Sequence, residues 1–151
     1  GNGEAEATAA GELGLYFAEK APAQPATTID VVPAPMNVAA GKIGERFRAE
    51  TTLKAAMTLI SIWPKLEAGG RSVEVTAVRP DTTVEPLVWV NYYRADWPSA
   101  YVLKDPVTLP AGTRVIVTAY YDNKTAAPIA AKPSVTITAQ PSSRPAGTLA
   151  P

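Results

Sequence analysis

Histidine and cysteine are both missing from this 151-residue chain. Without cysteine there is no disulfide framework, zinc ribbon, iron–sulfur cluster or thiol nucleophile. A cysteine-free chain suits either side of a membrane, so its redox compartment cannot be read. Without histidine the usual general base, the Ser-His-Asp triad and the commonest transition-metal ligand disappear together. Charge of one sign is lacking too: Lys plus Arg and Asp plus Glu are 14 each, for a net charge of zero. No basic field exists to condense on phosphate, which argues against a nucleic-acid binder. No apolar run approaches the roughly 18 residues of a spanning helix, and no polybasic or strongly amphipathic stretch suits a membrane surface. No signal peptide is visible. The opening Gly1-Asn2-Gly3 without an initiator Met is what a trimmed chain would show. No repeat of fixed period is present.

What is there reads as one domain with one core. The chain is 46% hydrophobic and 19% charged, an ordinary globular balance. Its 15 prolines and frequent turn signals separate short alternating runs. Residues 1–12 form a small, polar, Ala-rich lead-in expected to be disordered, residues 13–140 the folded domain, and residues 141–151 a Pro- and Ser-rich tail. Within the domain, Leu13, Leu15 and Phe17 alternate with Gly14 and Tyr16 as a short strand. Pro22 and Pro25 hold the next stretch extended or turning. Strands are expected over Thr27–Val32 and Glu45–Ala49, with Met36–Gly41 a loop. Residues 51–63 fit two patterns. Leu53, Ala55, Met57, Leu59 and Trp63 share one strand phase, whereas Lys54-Ala55-Ala56-Met57 has helix propensity; the strand is favoured over the second part. Turns at Gly69-Gly70 and Pro80-Asp81 flank a strand through Val73, Val75 and Ala77. Leu87 and Trp89 begin another, and Tyr101–Leu103 is short. After the Leu109-Pro110-Ala111-Gly112 turn comes the cleanest strand, Arg114–Tyr121, stopped by Asp122-Asn123. Val135–Ala139 is the last. Such a pattern describes an all-β sandwich or barrel.

The stretch Leu109-Pro-Ala-Gly-Thr-Arg-Val-Ile-Val-Thr-Ala-Tyr-Tyr-Asp-Asn123 resembles a signature of the bacterial relatives of the copper type II, ascorbate-dependent monooxygenases, the peptidylglycine hydroxylase-like superfamily. Those proteins carry an LPxGT turn, a strand and a YDNS-like turn. Tyr93-Arg-Ala-Asp-Trp-Pro-Ser-Ala-Tyr101 is similar to their YDFNWQxxY segment. Pro80-Asp81 sits where they have a PDG turn, and Leu13-Gly-Leu-Tyr-Phe-Ala18 looks like their VGLYFA segment. The four matches occur in the family's order and cover roughly residues 13 to 140. The resemblance implies an antiparallel jelly-roll β-sandwich like the C-terminal domain of these enzymes. It also implies a bacterial, periplasmic or secreted protein, an origin to which the Ala- and Pro-rich composition adds a hint of a GC-rich genome.

The family binds copper through a PHMHLRG-like motif and a later Met, imidazole and thioether ligands suited to copper. Aligned on Pro64 and Gly70, Lys65 and Glu67 stand where the two His would be. Gln140-Pro141-Ser142-Ser143 stands where the Met segment would come, and the chain's two methionines, Met36 and Met57, lie far upstream. The resemblance therefore implies a degenerate copper site, with no metal or other cofactor expected and no copper monooxygenase activity. Lys65 and Glu67 are either two solvated side chains beside a turn or a salt bridge in place of the metal cross-link.

Trp89, Tyr92, Tyr93, Trp97 and Tyr101 are dense enough to form a ligand-facing aromatic strip for sugar or peptide. Alternatively, alternate members fill the core and the rest cover a sheet edge. Asp81, Glu85, Asp96, Asp105 and Asp122 lie near turns, where carboxylates usually bond their own backbone. A glycosidase would need two of them facing across a cleft. No calcium loop pattern exists. Asn123-Lys124-Thr125 is a formal glycosylation sequon on the family's YDN turn, and Gly69-Gly70-Arg71-Ser72 is too short for a phosphate loop. The expected role is a non-catalytic jelly-roll module that binds an unidentified protein partner or neighbouring domain, or serves as a structural piece of a larger exported protein. The alternatives are a copper-independent, carboxylate-based enzyme and a carbohydrate-binding module.

Overall fold

Strict in–out alternation makes Arg114–Tyr121 the template for the whole molecule. Val115, Val117, Ala119 and Tyr121 are buried, and the residues between them face outward. The computed structural model describes Gly14 and residues 24–142, and among these there are ten strands and no helix. They are β1 (Thr27–Val31), β2 (Met36–Val38), β3 (Glu45–Thr52), β4 (Met57–Lys65), β5 (Gly70–Val78), β6 (Val84–Val90), β7 (Tyr101–Leu109), β8 (Arg114–Tyr121), β9 (Ile129–Ala131) and β10 (Ser134–Pro141). The lead-in at residues 1–12, the expected strand at residues 13–17 apart from Gly14, and the tail beyond Ser142 lie outside the described residues.

The pairing is nested. β1 pairs β10, β2 pairs β9, β3 pairs β8, β4 pairs β7 and β5 pairs β6, all antiparallel. The chain is in effect one long hairpin whose tip is the β5–β6 turn. Two further pairings, β10 with β4 and β5 with β8, roll the hairpin into two sheets. Their strand orders are β1-β10-β4-β7 and β3-β8-β5-β6, with β2-β9 as a short bridge. This order, on two packed antiparallel sheets, is a jelly-roll β-sandwich. Its core lies between the sheets, with Val73, Val75 and Ala77 of β5 and Val115 and Val117 of β8 from one side. Leu59 and Ile62 of β4 and Val135, Ile137 and Ala139 of β10 come from the other.

Strand β4 departs from the sequence reading at one residue. Leu59 pairs with Ala139 and Val107, and Ser61 with Thr138 and Val102, so both neighbours skip Ile60. This extra residue is a β-bulge, which shifts the inward phase by one. Met57 and Leu59 face the core before it, and Ile62 and Pro64 after it. Trp63, expected on the face of Leu59, is therefore turned outward and is 38% exposed. The same irregularity interrupts the edge strand β7, where Lys104, Asp105 and Pro106 fall between the paired positions. Charge and proline on an edge discourage pairing with another chain.

The remaining differences are of length. The expected loop at Met36–Gly41 contains β2, and its partner β9 was not anticipated. β7 runs on to Leu109, and β10 includes Gln140 and Pro141. The Leu109–Gly112 turn behaves as read: Gly112 takes φ +82° and donates its N–H to the Leu53 carbonyl, while Thr113 accepts the Leu53 N–H. That exchange fastens the β7–β8 turn to the β3–β4 connection.

At the hairpin tip, Asp81 accepts the Thr83 amide at 2.9 Å. This amide, followed by the Thr83 side chain, holds the Asp81 carboxyl below its ordinary value. Between them Thr82 has φ +71°, a left-handed conformation that a β-branched side chain resists. Strain of about 1 kcal/mol is expected there. Replacing Thr82→Asn, which tolerates this region, should raise the melting temperature by about 2–4 °C. Thr82→Gly should raise it less, because glycine loses more entropy on folding. Differential scanning calorimetry of the three proteins checks the order.

Candidate functional site

One end of the sandwich collects the β2–β3, β4–β5, β6–β7 and β8–β9 connections. The first, second and last of these are held together by the Asp122-Asn123 pair at the end of β8. Asn123 is fully buried. Its Nδ2 donates to the carbonyls of Val38, Ala39 and Ala127 at 2.9, 3.0 and 2.8 Å. Its Oδ1 accepts the Thr125 amide and hydroxyl, and its own N–H donates to the Lys42 carbonyl at 2.7 Å. Asp122 Oδ1 accepts the Gly44 amide at 2.8 Å, and the Asp122 N–H reaches the Gly69 carbonyl. Two adjacent residues thus satisfy the backbone of three connections. The Asn123 sequon is a structural coincidence in the folded chain, since both amide hydrogens are committed inside.

Gly69 closes this end. It takes φ +90°, and a Cβ there would lie 2.5 Å from Ile129 Cδ1 and 3.2 Å from the Asp122 carbonyl. Just before it, Lys65 and Glu67 are both exposed. No ion pair joins them among the described residues. The Lys65 ammonium instead sits 3.9 Å from the centre of the Trp63 ring, a cation–π contact. The bulge that turns Trp63 outward puts its ring on the solvent face beside Lys65, two residues on along β4. Among the described residues, no group of three His, Cys, Asp or Glu side chains is placed to hold a metal ion.

Tyr121 is the second polar group buried here. Its ring meets Phe47 edge-on at 5.0 Å between centroids, while its hydroxyl has no hydrogen-bond partner. Burial pushes the phenol well above its ordinary value. The nearby Glu67 backbone offsets this only in part, and the Glu67 and Tyr93 charges add to it.

The five aromatics singled out from sequence separate. Tyr93 packs against the core, accepts no solvent-facing role, and ties the β6–β7 connection down: its N–H donates to the Arg71 carbonyl and its hydroxyl to the Pro64 carbonyl. Trp89 of β6 lies opposite Glu74 on the outer face of its sheet and is 72% exposed. Tyr92 and Trp97 on the connection are 86% and 76% exposed, and Tyr101 at the start of β7 is 37% exposed. Between them Arg94 clasps Asp96 at 2.6 Å, the guanidinium drawing the Asp96 carboxyl below its usual range. The pair is exposed and adds little stability; its effect is to shape the turn, in which the Trp97 N–H reaches the Arg94 carbonyl.

The other carboxylates have local partners. Glu85 is paired with Arg79 at 2.5 Å, Asp81 holds its own turn and Asp122 the Gly44 amide. Asp105 is exposed on the β7 edge.

No known family profile matches the chain, and no curated protein matches it. Solved structures do. One, of the infectious bursal disease virus Gx strain, is 8% identical with a TM-score of 0.42, over 76% of this chain and 32% of that one. The VP2 subviral particle of the same virus gives 8% and 0.41, over 76% and 32%. Dimeric latent PorU from Porphyromonas gingivalis gives 11% and 0.22, over 75% and 13%. The chain thus spans a third or less of the length of these structures. The jelly-roll assignment stands on the strand order itself.

Two variants test this end. Asn123→Ala removes five side-chain hydrogen bonds, four to backbone groups and one to the Thr125 hydroxyl, and should cost about 3 kcal/mol in urea denaturation. Tyr121→Phe removes an unpartnered hydroxyl and should leave stability unchanged or raise it by up to about 1 kcal/mol at pH 7. Because the folded phenol titrates above its unfolded value of about 10, Tyr121 contributes stability fully below pH 10 and loses it as pH rises further. The variant's advantage in melting temperature should therefore widen between pH 7 and pH 11.

Proposed function

We propose that this chain is a non-catalytic jelly-roll binding module, related to the C-terminal domains of copper monooxygenases, that meets its partner through the aromatics around the β6–β7 connection. The observation that carries this is the contrast between Tyr93 and its neighbours. Tyr93 anchors the connection into the core, while Trp89, Tyr92 and Trp97 are left largely in water. Large rings held in solvent on an anchored support are the usual contact groups of a recognition surface.

The relation to the copper enzymes rests on the four motifs in order. Two of them coincide with working parts of the fold: the Leu109–Asn123 stretch, which carries the Leu109–Gly112 turn and the Asp122-Asn123 fastening, and the Pro80-Asp81 tip. The loss of the metal function rests on Lys65 and Glu67 at the His positions, where an ammonium opposes a cation. A periplasmic or secreted bacterial setting, as one domain of a larger protein, follows from the same relation. The carbohydrate reading is kept as the second, because flat exposed indole and phenol rings suit the apolar face of a sugar. An acid–base enzyme fits less well, since four of the five candidate carboxylates are engaged locally.

All three tryptophans of the chain are exposed to some degree, so intrinsic fluorescence reports on the surface. A peptide or oligosaccharide ligand should change it in the native protein, and Trp97→Ala should weaken that binding at least tenfold. A broad oligosaccharide panel without response removes the sugar reading. Copper titration should show no stoichiometric micromolar site; finding one would sink the claim that the metal function is lost.

A further inference from the structure

The outer face of the β3-β8-β5-β6 sheet carries an excess of positive charge. Arg46 and Arg48 of β3, Arg71 of β5 and Arg114 of β8 are exposed there, against the carboxylates of Glu50 and Glu74. Glu50 is shared between Arg48 at 3.4 Å and Arg114 at 3.5 Å, and Glu74 accepts the Thr76 hydroxyl. Arg46 has no ion pair among the described residues, and Arg71 has only a loose one, 3.9 Å from Asp122 Oδ1, which the Gly44 amide already occupies. These two guanidiniums flank Tyr120: Arg46 lies opposite it on β3, and Arg71 sits 5.7 Å from the centre of its ring. In the next outward row Arg48, Thr118, Glu74 and Trp89 stand side by side across all four strands. The charged face is therefore continuous with the exposed Trp89.

We propose that this face takes an acidic, extended peptide segment of a partner protein, whose carboxylates pair with Arg46 and Arg71 while its chain reaches Trp89. The inference rests on the binding-module reading and adds the chemistry of the partner. Charge complementarity gives the sign. Residue type gives the class: none of the four strands carries a lysine, although Lys and Arg are equally numerous in the chain. Arg, Trp and Tyr without Lys is the composition of a protein-contact surface. A guanidinium also holds a carboxylate through two parallel hydrogen bonds, where an ammonium offers only a point charge. Size gives the form of the ligand. Strand spacing and rise make the face roughly 15 by 25 Å, well under the roughly 800 Å² per partner of a standard interface. That footprint suits a segment and not a whole globular surface. An extended segment presents alternate side chains roughly 7 Å apart, which is also the spacing of Arg46 and Arg48 along β3.

Fluorescence anisotropy on the full chain, with a short labelled peptide alternating Glu and Tyr, tests this. Binding should weaken at least about tenfold in Arg46→Glu and in Arg71→Glu, and by a similar factor when NaCl rises from about 50 to about 500 mM. Both side chains are exposed, so each variant should keep its melting temperature within about 2 °C. The same peptide with Lys in place of Glu should not bind. No binding of the acidic peptide, or binding that both arginine variants retain, overturns the proposal. Tighter binding of an oligogalacturonate or a single-stranded oligonucleotide overturns it in favour of an acidic glycan or a nucleic acid. Loss of binding in Trp97→Ala but in neither arginine variant overturns it and leaves the aromatic site standing. Loss in the arginine variants but not in Trp97→Ala upholds the acidic partner and removes the β6–β7 connection from its site.

Discussion

Nested antiparallel pairing is the constraint from which the rest of this molecule follows. Each strand of the outgoing half finds its partner in the returning half, so the register of one pair limits the register of the next. β8 has the central place in this scheme, because it is paired on both sides, with β3 and with β5. Its inward residues are the middle of the core, and its last two positions run directly into Asp122 and Asn123. A one-residue slip in β8 would turn Tyr121 and the valines outward and would also withdraw the fastening of the connections. Core packing and loop positioning therefore depend on the same strand.

Much of this was legible in the chain. Arg114–Tyr121 was read with its observed bounds, because nothing interrupts its alternation and clear turns stand at both ends. β4 was read only in part. Its pattern is two alternations of opposite phase joined at Ile60, and a single-phase reading gives Trp63 the wrong face. β2 and β9 have three residues each, too few for any periodicity to register. They exist because the long hairpin passes through them, which is a property of the whole topology.

The candidate site was legible to a smaller degree. Tyr92 and Tyr93 are adjacent and chemically identical, yet one is in water and the other pins the connection to Arg71 and Pro64. Nothing local distinguishes them; the difference is set by which one the neighbouring β4–β5 hairpin can reach. Asn123 was read as a turn residue beside a sequon. Its larger part, holding carbonyls from segments far away in sequence, cannot be seen without the fold. Lys65 was read together with Glu67, but its partner is Trp63, two residues back on the same strand.

The nesting also determines how the molecule bears load. Thr27 lies opposite Ala139, so the segments leading into and out of the sandwich depart side by side from adjacent antiparallel strands. Tension applied through those two segments falls on the outermost hydrogen-bonded pair alone, then on the next, and peels β1 from β10 like a zipper. The ladder is never loaded in parallel along its length. A domain attached in this way is mechanically soft along its own chain, whatever its thermal stability.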